Sequence, residues 1–123
     1  MIDSQTSIVK SFKYAFEGIL FSIKHNRNLR IHIVAAFLVI LASLFFRVNA
    51  FEMGILGVMI VLVICLEMMN TAIEEMVDLI IQEHRQQAKI AKDVSAGMVL
   101  VVSAGSVIVG VLIFTPYIIR YFR

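Results

Sequence analysis

The sequence has few of the residues that would support a disulfide-linked, metal-thiolate or nucleic-acid-binding protein. Its 123 residues include a single cysteine, Cys65, so an internal disulfide is impossible and a cysteine metal site is unsupported. Only 16% of the residues are charged, the net charge is +2, and no basic cluster resembles a DNA- or RNA-binding surface. The glycines form no GxxxxGK[ST] loop, which excludes the phosphate site of P-loop enzymes.

Hydrophobic residues, in contrast, are abundant. They make up 60% of the chain, whereas soluble domains contain about 45–50% apolar residues. The mean hydropathy is +0.92. The length suits one domain and is too short for two. We therefore expect residues 1–123 to form a single integral-membrane domain.

The hydrophobic residues fall into segments that predict an all-α membrane protein. In residues 1–30, apolar side chains recur every three or four positions among lysines, as in an amphipathic helix lying in the headgroup plane. Three transmembrane helices are predicted at about 31–47, 51–81 and 94–119. The last span should end near Pro116, because proline cannot continue the hydrogen-bond ladder of a helix.

The lysines and arginines predict the orientation of these helices. Residues 1–30 and the charged connection 82–92 together contain eight of them, against three on the other side, namely Arg47, Arg120 and Arg123. Segments rich in lysine and arginine remain in the cytoplasm. The sequence therefore predicts a multi-pass protein whose N-terminus and second connection are cytoplasmic.

The second predicted membrane helix turns acidic toward its cytoplasmic end. At about 100° per residue, Glu67, Asn70, Glu74 and Asp78 fall within roughly 80° of one another. Ionisable groups deep in a membrane cost roughly 2.5 kcal/mol or more each, which favours a chemical role over simple solvation of a helix end. Glu67, the deepest, suits a general base. Glu74 and Asp78 suit a hard cation such as Mg²⁺, and Asn70 either binds the cation or orients Glu67.

For other polar residues, the sequence gives weaker evidence of a functional role. Lys92 and Asp93 stand at the start of the third membrane helix, at a membrane level similar to that of the acidic face. The lysine is placed to contact a phosphate group. His25 and His32 are interpreted as interfacial histidines in preference to ligands.

The segment 67–78, EMMNTAIEEMVD, is followed fourteen residues after Asp78 by Lys92 and Asp93. This combination resembles the signature of the prokaryotic diacylglycerol kinase family, which consists of small integral-membrane lipid kinases. The resemblance covers nearly the whole chain. It implies a homotrimer in a bacterial inner membrane, with active sites between subunits at the cytoplasmic side, and it implies ATP as phosphoryl donor and Mg²⁺ as cofactor.

The resemblance also implies roles for individual residues. Glu67 matches the proton acceptor of the family and Glu74 a metal ligand. Other catalytic or nucleotide-contacting positions are matched by Asn70, Asp78, Lys92, Asp93, Tyr14 and Glu83. One departure concerns the second metal ligand, a glutamate in the family, which is replaced here by Asn26. An amide oxygen can bind Mg²⁺ but brings no charge.

The leading hypothesis is therefore an ATP- and Mg²⁺-dependent kinase that phosphorylates the hydroxyl of a membrane lipid. Segments 26–32 and 114–116 look more like the undecaprenol kinase branch than the diacylglycerol kinase branch, and diacylglycerol remains the alternative substrate. A small ion-translocating oligomer that uses Glu67 as carrier would need no cytoplasmic cation site, so the acidic cluster argues against it. Asn26 keeps open a third reading, a catalytically degenerate member.

Overall fold

The computed structural model describes residues 4–83 and 85–123, and this part of the chain folds into four α-helices. They are α1 (Ser4–His25), α2 (Arg27–Phe45), α3 (Ala50–Ile80) and α4 (Gln86–Tyr121). The last three are each long and apolar enough to cross a membrane. The prediction of an N-terminal helix followed by three helices able to span a membrane is confirmed.

A single residue, Asn26, separates α1 from α2. Its backbone is extended, with φ −108° and ψ 106°, and its side-chain oxygen accepts a hydrogen bond from the N–H of Leu29 at 3.0 Å. This is the geometry of a helix N-cap. The guanidinium of Arg30 donates to two carbonyl groups near the end of α1, which satisfies acceptors that a helix end leaves unpaired. Capping at Asn26, and not a change in hydrophobicity, thus makes α2 begin at Arg27, four residues before the expected start near residue 31.

The helices pack around α3, which contacts all three of the others and lies most extensively against α4. Few apolar side chains of the described residues are buried: Leu29, Val48, Leu56, Val63, Val99 and Ile113. Many large apolar side chains of α2, α3 and α4 instead face outward. An apolar outer surface around a small interior suits helices whose solvent is lipid.

The expectation that the helix stops at Pro116 is wrong, because α4 continues through this residue to Tyr121, two residues past the expected bound at 119. A proline inside a membrane helix is tolerated where neighbouring groups compensate for the lost ladder hydrogen bond. Here the next residue, Tyr117, anchors the helix end to the connection between α2 and α3. Its hydroxyl donates to Glu52 Oε2 at 2.7 Å and accepts from the N–H of Asn49 at 3.2 Å.

We expect Tyr117→Phe to destabilise the protein by about 1–3 kcal/mol, because Glu52 and the Asn49 N–H both lose a partner. Tyr121→Phe is the matched control, since Tyr121 packs against Phe45 and makes no hydroxyl hydrogen bond within the described residues. Thermal unfolding in detergent measures the difference. Equal melting temperatures for the two variants would show that the tyrosine hydroxyl does not anchor α4.

Candidate active site

Glu67 is almost completely buried, with 2% of its surface exposed, although it lies in an apolar helix. Both of its carboxylate oxygens are in contact with polar groups, one from Asn26 between α1 and α2 and the other from α2 itself. Oε2 accepts a hydrogen bond from Asn26 Nδ2 at 3.0 Å, and Oε1 lies 3.3 Å from His32 Nε2. A buried carboxylate is costly unless it is hydrogen-bonded. The two contacts therefore stabilise Glu67 and hold its carboxylate in one orientation.

Asn26 presents the N–H side of its amide, and not its oxygen, to Glu67. The oxygen caps α2 through the N–H of Leu29, while Nδ2 also donates to Thr71 Oγ1 at 2.8 Å. The two neighbours determine the orientation of the amide, because the backbone N–H needs an acceptor and the carboxylate needs a donor. The structure thus places Asn26 as a hydrogen-bond donor to Glu67.

Asn70 connects the buried part of the acidic face to its exposed part. Its Oδ1 accepts a hydrogen bond from Ser95 Oγ of α4 at 2.7 Å, and its Nδ2 donates to Glu74 Oε1 at 3.3 Å. Ser95 is 1% exposed, whereas Glu74 is exposed. The serine hydroxyl fixes the orientation of the Asn70 amide, so that the amide N–H group points toward the Glu74 carboxylate.

At the end of α3, the acidic face meets the start of α4. Lys92 forms an ion pair with Asp78 across the two helices, and Lys89 pairs with Asp93 within α4. These four side chains line an open cavity of about 320 Å³. A phosphate group that enters this cavity would compete with Asp78 for the charge of Lys92.

The structure does not bring two of the predicted nucleotide-contacting residues, Glu83 and Tyr14, to Glu67. Glu83 lies in the connection between α3 and α4, pairs with Arg85 at 3.4 Å, and lines the cavity of Asp78 and Lys92. Tyr14 is exposed in the middle of α1, roughly 18 Å along the helix from Asn26 at 1.5 Å per residue. Within this chain, Glu83 thus lines the cavity of Asp78 and Lys92, whereas Tyr14 lines none of the cavities described.

The described residues contain no group of three or more His, Cys, Asp or Glu side chains that could hold a metal ion by themselves. Glu74 offers one exposed carboxylate, which accepts a hydrogen bond from Asn70. Mg²⁺ in phosphoryl-transfer sites usually takes one or two protein carboxylates and completes its shell with substrate phosphates and water. The residues present fit an ion held in that way, with Glu74 as its protein ligand.

A cavity of about 340 Å³ opens beside Glu67, and we call it the Glu67 cavity. Its polar lining comes from Asn28, His32, Glu67, Asn70 and Ser103, and its apolar lining from α4. A narrower apolar groove of about 100 Å³ between α2, α3 and α4 also includes His32 in its lining. His32 therefore lies where an apolar groove and the carboxylate cavity meet.

Sequence reasoning missed three polar neighbours of the acidic face. His32 was interpreted as an interfacial histidine, yet it contacts Glu67. Thr71 follows Glu67 by four residues, so its angular position, roughly 40° away on the helix, was a usable signal. Ser95 is one of several serines in α4, and its sequence position carries no comparable signal.

Comparison with known proteins shows which family this chain is similar to. The model of the family described as prokaryotic diacylglycerol kinase matches residues 13–114. A diacylglycerol kinase of Synechocystis sp. is 38% identical over 111 residues, which cover 89% of this chain and 63% of that relative. An undecaprenol kinase of Bacillus subtilis is 40% identical over 107 residues, which cover 87% of each chain. The chain thus spans less than two thirds of the cyanobacterial relative and most of the Bacillus relative.

Proposed function

This chain belongs to the prokaryotic diacylglycerol kinase family, and we propose that it transfers the γ-phosphate of ATP to the hydroxyl of a membrane lipid. The observation that carries the proposal is the environment of Glu67. A buried carboxylate, hydrogen-bonded to Asn26 and in contact with His32, lines a cavity between helices that are able to cross a membrane. A base at that position is accessible to an alcohol that approaches from the bilayer.

In the proposed reaction, Glu67 accepts the proton of the lipid hydroxyl while the lipid oxygen attacks the γ-phosphorus and ADP leaves. Asn26 and His32 hold the carboxylate for this proton transfer. Asn70, oriented by Ser95, keeps Glu74 in place. When bound by Glu74 and the substrate phosphates, Mg²⁺ supplies positive charge that stabilises the transferred phosphoryl group.

The nucleotide is proposed to lie toward the exposed end of the site. Lys92 supplies a positive charge at the cavity shared by Asp78, Asp93 and Glu83. In this proposal, Asp78 holds Lys92 in position until a phosphate takes over part of the contact. The lipid hydroxyl and the nucleotide thus approach the line of Glu67, Asn70 and Glu74 from different sides.

Undecaprenol is the first candidate for the lipid, and diacylglycerol is the alternative. The Bacillus relative that carries the name undecaprenol kinase is matched over 87% of its length, whereas the relative named diacylglycerol kinase is matched over 63%. The test is transfer of a radioactive γ-phosphate from ATP to each alcohol by the purified protein in mixed micelles. We expect labelled undecaprenyl phosphate. Label in phosphatidic acid alone would select diacylglycerol, and label in neither product would contradict the lipid kinase proposal.

We propose that the N-terminus and residues 82–92 lie in the cytoplasm, because these segments contain most of the lysines and arginines. In a Cys65→Ala background, the variant Gln87→Cys should react with a membrane-impermeant maleimide only after the inner face is exposed. The control Ala50→Cys, at the start of α3, should react from outside. The reverse pattern would place the acidic end of α3 away from cytoplasmic ATP and contradict the kinase proposal.

We propose further that the protein is a homotrimer with sites shared between subunits, as the family resemblance implies. Tyr14 lies in the middle of α1, twelve residues before Asn26, and lines none of the cavities described, which supports a nucleotide site that is not completed by one subunit. Native mass spectrometry from lipid nanodiscs should report three chains. A monomer that retains full phosphoryl transfer would contradict this assembly.

A further inference from the structure

Ser103 carries a buried hydroxyl group that has no hydrogen-bond partner within the described residues. The fully buried serines of the described helices are all satisfied. Ser22 and Ser43 donate to carbonyl groups four residues earlier, at 3.0 and 2.8 Å, and Ser95 donates to Asn70. A buried polar group without a partner is destabilising and is uncommon in folded proteins. The unpartnered hydroxyl of Ser103 therefore needs an explanation, such as a hydrogen bond to a bound ligand.

The position of this hydroxyl indicates the chemical class of ligand that would pair with it. Ser103 lines the Glu67 cavity, together with the carboxylate that serves as base in the proposed reaction. The oxygen of an alcohol has a proton to give to an acceptor and lone pairs that take a hydrogen bond from a donor. Glu67 is an acceptor, and Ser103 offers an uncommitted donor. The two side chains are complementary to a single alcohol group.

The other buried donor in this cavity is already in use. The oxygen of the Asn70 amide accepts from Ser95, and its nitrogen donates to Glu74. Asn70 is 7% exposed. His32 Nε2 faces the Glu67 carboxylate. The half-buried Ser103, whose hydroxyl oxygen is itself buried, therefore remains available in this cavity to hold the oxygen of the acceptor.

We propose that the Ser103 hydroxyl donates a hydrogen bond to the oxygen of the lipid alcohol whose proton Glu67 accepts. Ser103 is then a substrate-binding residue for the acceptor, contributed by α4, and this inference rests on the proposed lipid kinase function. The apolar groove that reaches the cavity at His32 suits an alcohol with a hydrocarbon chain. An acceptor with one oxygen at the end of such a chain satisfies both Ser103 and Glu67.

The test compares Ser103→Ala with Ser43→Ala. Ser43 is the matched control, because it is a buried serine of α2 whose hydroxyl is already bonded to the Val39 carbonyl. For Ser103→Ala we expect the KM for undecaprenol to rise about two- to tenfold, which corresponds to the loss of one hydrogen bond. The KM for ATP should be unchanged. Ser43→Ala should alter neither KM, and Ser103→Thr, which keeps the hydroxyl, should restore most of the affinity for the alcohol.

Stability provides a second measurement that separates substrate binding from a structural role. Without substrate, Ser103→Ala should melt at or above the wild-type temperature, because the substitution removes a hydroxyl that has no partner. A melting temperature several degrees lower would show that the hydroxyl is paired in the folded protein. That result would overturn the inference.

Equilibrium binding of radiolabelled undecaprenol to the protein in nanodiscs, without ATP, separates this inference from the proposed function. If the wild type phosphorylates undecaprenol but Ser103→Ala has an unchanged KM and binds the alcohol equally well, the inference fails and the kinase proposal stands. If the wild type phosphorylates no alcohol, the kinase proposal fails. In that case, two- to tenfold weaker binding by Ser103→Ala still supports the alcohol site, and equal binding overturns it.

Discussion

Replacing Glu67 by glutamine is expected to lower the kcat for phosphoryl transfer by about a hundredfold to ten-thousandfold, the range associated with loss of a general base. Glutamine has nearly the shape of glutamate but cannot take the proton of the lipid hydroxyl. Nucleotide binding should survive, since Glu67 lies at the buried end of the acidic face. The exposed carboxylates of Glu74 and Asp78 lie one or more turns of α3 away. Turnover and ADP binding, measured on the same preparation, check both parts.

Glu75→Gln is the control for this variant, because it makes the same chemical change on an exposed position of the same helix. In Glu67→Gln the new amide group must point its own N–H₂ at Asn26 or at His32, both of which face the carboxylate in the wild type. A modest loss of thermal stability should therefore accompany the loss of turnover. A folded Glu67→Gln protein that turns over at half the wild-type rate would remove Glu67 from the role of proton acceptor.

Glu74→Gln should have a different effect, namely weaker Mg²⁺-dependent binding of nucleotide. Its exposed carboxylate is the protein ligand proposed for the metal ion, and the amide retains the shape but loses the charge. Calorimetric titration with ADP, with and without Mg²⁺, separates the two contributions. Equal loss of nucleotide binding in Glu67→Gln and Glu74→Gln would contradict the division of roles between the two glutamates.

The helices were predictable from hydropathy and periodicity, but two of their ends depend on local contacts. The start of α2 coincides with the cap at Asn26, and α4 continues past Pro116, where Tyr117 is hydrogen-bonded to Glu52. Asparagine before an apolar run is a recognised signal for a helix start. Asn26 precedes the apolar run of α2 and therefore carries that signal.

The candidate site was predictable where one helix supplies it and unpredictable where several helices meet. Glu67, Asn70 and Glu74 share a face because they lie on α3 at helical spacing. The contact of His32 with Glu67 depends on how α2 is rotated about its axis, and a helix that is apolar nearly all round gives no indication of that rotation. Ser95 and Ser103 depend in the same way on the packing of α4.

The variant Asn26→Glu tests how the site changes when residue 26 carries the carboxylate that the family resemblance implies. The amide caps α2 and donates hydrogen bonds to Glu67 and Thr71. A carboxylate at residue 26 can still accept from the Leu29 N–H, but it cannot donate to Glu67. Two acidic groups would then face each other, an arrangement that disfavours ionisation of both unless a cation lies close to them. We therefore expect Asn26→Glu to be less stable than the wild type in metal-free buffer and to be stabilised by Mg²⁺.

The same argument predicts how activity depends on Mg²⁺. The added charge should lower the Mg²⁺ concentration for half-maximal phosphoryl transfer about tenfold, if it contributes near 1.4 kcal/mol. Asn49→Glu is the matched control, since Asn49 caps α3 in the way that Asn26 caps α2 but lies at the opposite end of α3 from Glu74. Melting temperature against Mg²⁺ and direct Mn²⁺ binding provide measurements apart from activity. An unchanged metal dependence in a folded, active Asn26→Glu protein would place residue 26 outside the metal shell, whereas an inactive wild type rescued by this substitution would identify a kinase that had lost its second acidic ligand.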